Sequence, residues 1–135
     1  MVCERIEIPI FNSVVVLFKG SPYSLKKKIE EDWFEDDEAD QEAFSEVFKS
    51  FKESYDTGNA SAWTTYYGGI AYCLFPANSD DLTYSTLVHE LSHAVTFLMQ
   101  DREIQDNTDE CRSYILGYIF EKSYKFRKKA KFSDK

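Results

Sequence analysis

Residues 89–93 read His-Glu-Leu-Ser-His, and these are the two histidines of the chain. On a helix, positions i and i+4 share one face a single turn apart. Two imidazoles so placed can hold one zinc ion, each nitrogen at roughly 2.0–2.1 Å. Glu90, about 100° further round the helix, is not a ligand in this pattern. It is placed to take the proton of a water activated by the metal. The helix carrying them is expected over about Thr83 to Met99. Tyr84, Leu87, Val88, Leu91, Ala94, Val95 and Leu98 form an apolar stripe along it at helical spacing. His89 and His93 fall almost opposite the centre of that stripe. A surface pair of histidines on a solvated face is the plain alternative.

A catalytic zinc needs a third protein ligand and an open fourth position. With no third histidine, that ligand has to be a carboxylate. Asp101, Glu103, Asp106, Asp109 and Glu110 are the downstream candidates. Glu110 is preferred, because it opens a last helix that can fold back on the first. Gly117 on that helix would permit close approach, and Tyr114 could donate to an oxyanion. Two other roles stay open: Glu110 as the N3 residue of a capping box begun by Asn107, and Tyr114 as a core aromatic. Cys111 reads as a structural thiol.

The His89–His93 motif, followed by Asp109-Glu110-Cys111-Arg112-Ser113-Tyr114, resembles minimal zinc metallopeptidases of the gluzincin type. With Ile6-Glu7-Ile8-Pro9-Ile10 and the segment Asp109 to Tyr118, the chain also resembles small HExxH proteins of phages and mobile elements. The resemblance is specific over residues 83–120. It implies a zincin-like α+β fold, a small twisted sheet on the active helix and a C-terminal helix, with Zn2+ as cofactor and a peptide or protein as substrate. By the same analogy the sheet edge that binds substrate is Gly69 to Phe75, so that Gly69, Ile70, Ala71 and Tyr72 are expected to hold an extended peptide. Many gluzincins carry an acid four residues after the ligand glutamate; here Tyr114 stands there.

The elements that must position these residues can be read along the chain. Residues 5–10 alternate and 13–19 are β-branched and apolar, which predicts a hairpin turning at Phe11-Asn12. Helices are expected from about Leu25 to Trp33 and Ala39 to Tyr55. The second presents Phe44, Val47, Phe48, Phe51 and Tyr55 on one face. Residues 62–75 read as one bulged strand or two short ones broken at Gly68-Gly69. The last helix is expected over about Asp109 to Lys125, followed by a frayed basic tail.

At 135 residues, 43% hydrophobic and 30% charged, the chain fits one ordinary α+β domain, residues 1–135. A net charge of −8 argues against nucleic acid as the main partner. Three cysteines without CxxC spacing argue against a disulfide framework and for a reducing compartment. No membrane span or secretory signal is read, so a cytoplasmic location is expected. Residues 30–42 hold nine acids among thirteen residues, whereas residues 122–131 are basic. A solvated surface is the ordinary reading of such runs. The competing functional reading is a non-catalytic binding or inhibitor module on the same scaffold, acting through the acidic face.

Overall fold

The computed structural model describes residues 1–33, 38–57, 62–67, 69–77, 82–105 and 110–133; within these, the side chains of 29–33, 38–44, 47 and 67 are not described. The acidic run 30–42, the face positions Phe44 and Val47, and the carboxylates Asp106 and Asp109 therefore lie outside the described side chains.

Among the described residues the architecture is α+β, with a mixed sheet in the order β1-β2-β4-β3. Strands β1 (Val2–Ile8) and β2 (Ser13–Gly20) form the expected hairpin, in the register Ile6↔Val15 and Ile8↔Ser13. Its turn is longer than the two residues expected. Pro9 ends the strand and starts a single 3-10 turn, Pro9–Phe11, which Asn12 closes at φ +48°. Ile10 consequently leaves the face of Ile6 and Ile8 and is 75% exposed.

The helices α1 (Pro22–Trp33) and α2 (Glu38–Asp56) lead to β3 (Trp63–Tyr67), which pairs antiparallel with β4 (Ile70–Pro76). Gly69, at φ +84°, adopts the left-handed backbone conformation that favours glycine. Strand β4 returns parallel to β2, with Val15↔Ala71 and Leu17↔Cys73 opposite each other.

This order corrects the expected substrate edge. Ile70, Ala71 and Tyr72 lie on β4 and Gly69 immediately precedes it, but β4 is an inner strand, paired with β2 on one side and β3 on the other. Every residue of β4 is buried. A strand apolar on both faces belongs in the middle of a sheet, where helices cover it on two sides. The free edge on that side is β3.

Alternation along β2 and β4 feeds two cores. Val16, Phe18, Ile70, Tyr72 and Leu74 pack with Leu25 of α1 and Phe51 of α2. Val15, Leu17, Ala71, Cys73 and Phe75 pack on the other face, with α3 (Tyr84–Asp101), α4 (Glu110–Lys122) and α5 (Tyr124–Ala130).

The last helix is thus two helices, parted at Ser123. The buried Ser123 hydroxyl donates to the carbonyl of Phe120 at 2.6 Å, and Arg127 Nε donates to that hydroxyl at 3.1 Å. A serine that bonds back into the preceding turn competes with continued helix. The basic segment is not a frayed end. Phe126 and Ala130 are fully buried and Phe132 nearly so, while Lys122, Lys125, Lys128, Lys129 and Lys131 face solvent. Among the described residues, no helix is long and apolar enough to cross a membrane.

Candidate metal and catalytic site

Helix α3 begins as the sequence predicts. Thr83 is the N-cap, and its hydroxyl accepts from the backbone N–H of Thr86 at 3.2 Å. Leu87, Leu91, Ala94, Val95 and Leu98 are fully buried. His89 and His93 lie exposed on the opposite side. Their Nε2 atoms stand 3.1 Å apart, with ring planes nearly perpendicular at 86°. Two nitrogens each 2.0–2.1 Å from one tetrahedral ion would be about 3.3 Å apart. The pair therefore fits the two-histidine half of a zinc site.

Glu90 lies at the other boundary of this turn. It is only 5% exposed and points towards the sheet. The Thr64 hydroxyl lies 2.5 Å from Glu90 Oε2 and 3.1 Å from the Glu90 carbonyl oxygen. The Cys73 thiol, opposite Thr64 in the β3–β4 register, donates to that same carbonyl at 3.7 Å. Burial pushes the Cys73 thiol up to about 12, so it stays protonated. A carboxylate in a core is costly unless hydrogen bonds compensate it. A leucine at this position would extend the stripe at lower cost.

Helix α4 is clamped to α3 by Arg112. Its Nη1 donates to Thr96 Oγ1 at 2.6 Å, and its Nη2 donates to the Ser92 carbonyl at 3.0 Å and to Ser92 Oγ at 2.5 Å. Ser92 and Thr96 lie three and seven residues after His89, on the face that carries the histidines. Arg112, Ile115 and Ile119 turn towards the core side of α4.

That phase decides where the remaining expected residues fall. Glu110 is exposed at the first residue of α4. Among the described residues, no group of three His, Cys, Asp or Glu side chains comes together that could hold a metal. The expected third ligand is therefore not assembled beside the histidines in this arrangement. Tyr114 is 73% exposed, and lines a groove of about 230 Å³ with Ile8, Pro9, Ile10, Ile115 and Tyr118. The groove includes neither histidine, so the expected placement of the Tyr114 hydroxyl over the site is not seen. A Cβ on Gly117 would meet nothing within 4 Å, so this glycine does not serve a close helix approach. Ile115 and Ile119 carry the packing instead.

Thr64, Cys73, Ser92, Thr96 and Arg112 are contributions that motif reasoning missed. A signal for Thr64 is present in Trp63-Thr64-Thr65-Tyr66-Tyr67, because alternate residues of an edge strand share a face. Tyr66, two residues on, stacks on Phe97 of α3 at 6.0 Å and 18°.

The chain matches no protein-family model, no curated protein and no solved structure.

Proposed function

We propose that the chain is a zinc-dependent hydrolase of the HExxH class that acts on peptide bonds. The observation that carries this reading is the convergence of His89 Nε2 and His93 Nε2 to 3.1 Å on the solvent side of α3, in the turn whose buried carboxylate is Glu90. His89 and His93 would hold the ion, and a carboxylate from the segment after α3 would complete the donor set. When bound, zinc supplies Lewis acidity, making water acidic enough to attack near neutral pH and polarising the carbonyl under attack.

The chain's own residues do the rest. Glu90 accepts the proton of the attacking water and returns it to the leaving amine. Strand β3, the edge strand next to α3 among the described residues, gives an extended peptide a place to pair. The exposed position of both imidazoles suits a substrate that is itself a segment of another protein.

Elemental analysis of purified protein tests the metal, and cleavage of a peptide library tests the chemistry. The expected result is about one zinc per chain in a site with open coordination, lost in His93→Ala. Glu90→Gln should keep the zinc and lose cleavage. Protein that takes up no zinc on reconstitution would end this reading.

A further inference from the structure

Thr64 stands at a junction that the hydrolase reading does not use. Its main chain belongs to the edge strand β3, and its side chain is almost entirely buried against α3. The hydroxyl has a single proton and three acceptors in range, the Glu90 carboxylate Oε2 at 2.5 Å, the Glu90 carbonyl at 3.1 Å and Cys73 Sγ at 3.7 Å. Cys73, directly across the strand pair, donates its thiol proton to that carbonyl. The carbonyl is thereby served, and of the two remaining acceptors the carboxylate is charged and much the nearer, so it takes the Thr64 proton. Threonine is stiff at χ1 because it is branched at Cβ. The direction of this donor is therefore set by the strand and not by side-chain motion.

We propose that Thr64 is a positioning residue: it fixes the Glu90 carboxylate relative to the edge strand on which a peptide would lie. This rests on the hydrolase reading above. One residue then links both halves of the reaction geometry. Its backbone lies in the strand that aligns the scissile bond, and its hydroxyl aims the base that deprotonates the water. A general base contributes about 10²- to 10⁴-fold to a rate, and only when it is held within hydrogen-bond reach. Small misplacements of a reacting group remove much of that gain.

The test compares zinc-loaded wild type, Thr64→Val, Thr64→Ser and Glu90→Gln. Thr64→Val keeps the shape and removes the donor; a drop in kcat of about 10- to 100-fold is expected, with KM within about twofold and zinc content unchanged. Thr64→Ser, which keeps the hydroxyl, should recover most of kcat. A Thr64→Val kcat within twofold of wild type overturns the proposal. So does Thr64→Ser as impaired as Thr64→Val, which would assign the effect to methyl packing. A loss confined to KM does the same. Urea unfolding of Thr64→Val, Glu90→Gln and the double variant gives a readout independent of turnover. Non-additive midpoints are expected, and additive ones refute the contact. If Glu90→Gln cleaves as well as wild type, or zinc-loaded protein cleaves nothing, the hydrolase reading itself falls and takes this proposal with it. Dependence on Glu90 without dependence on Thr64 overturns the positioning role alone.

Discussion

Replacing Phe126 with alanine tests whether the basic C-terminal segment is part of the core that holds α3. The ring is fully buried and belongs to a three-ring cluster. Its centroid lies 5.8 Å from Phe75 and 5.7 Å from Phe132, and those two rings meet edge-on at 5.1 Å. Emptying such a site costs about 3–5 kcal/mol, because the lost transfer energy is joined by an unfilled cavity. At about 2.1 cal/mol/K of unfolding entropy per residue, 135 residues give about 0.28 kcal/mol/K, so the melting temperature should fall by about 10–18 °C. Circular dichroism melting of Phe126→Ala beside Lys128→Ala reads this directly. Lys128 lies on the same helix but faces solvent, so its variant should change stability by no more than about 0.5 kcal/mol. A fall of only about 3 °C or less for Phe126→Ala would refute the argument. The segment would then be the frayed basic tail that its composition suggests.

Arg112→Ala removes three bonds from α4 to α3 and leaves polar groups of Ser92 and Thr96 without them. A loss of about 1.5–3 kcal/mol is expected in urea unfolding. Arg112→Lys should restore little of it, because an ammonium does not reproduce the planar fork; full rescue by lysine would show that charge alone matters. The Tyr66 phenol is pushed up to about 12, first by burial and then by its hydrogen bond to Asp101 at 2.7 Å. Because its folded value lies above the ordinary 10.0, the fold favours the neutral phenol. Its contribution to stability is complete below pH 10 and is lost as pH rises towards 12. Ultraviolet absorbance titration should show a late-titrating component that is lost in Tyr66→Phe, and an unchanged titration curve would contradict the assignment.

The parts of the fold legible in the sequence are those where one periodicity dominates. The α3 stripe and the hairpin strands are of this kind, and both histidines fall on the exposed side as their helical phase requires. The strand order is less accessible. Ile70-Ala71-Tyr72-Cys73-Leu74-Phe75 is apolar without alternation, which is the mark of an inner strand. The family analogy puts that segment at the edge, whereas the edge is β3. The phase of α4 is obscured for a physical reason. Glu110, Tyr114 and Gly117 share one face, and Arg112, Ile115 and Ile119 share another. Reactive residue types draw attention to the former face, but packing selects the latter, with Arg112 acting as the clamp. The division at Ser123 depends on a side-chain hydroxyl bonding into the turn before it, which propensity does not reveal. Thr64 and Cys73 reach Glu90 only through tertiary structure, so no local spacing could have paired them.

The start of α3 has one further consequence, for synthesis. Tyr84 donates its backbone N–H to Ser133 at 2.9 Å, and Ser133 donates its own to Leu82 at 3.0 Å. Lys19 Nζ donates to the Ala130 carbonyl at 2.9 Å, tying the same segment to β2. The helix that carries both histidines is therefore pinned at its entrance by residues made about fifty positions later. A chain still held by the ribosome at residue 125 has its complete HExxH sequence but lacks that pin and the Phe126 and Phe132 rings. The entrance of α3 therefore depends on residues made well after the motif, and a nascent chain carries the motif before it carries that pin.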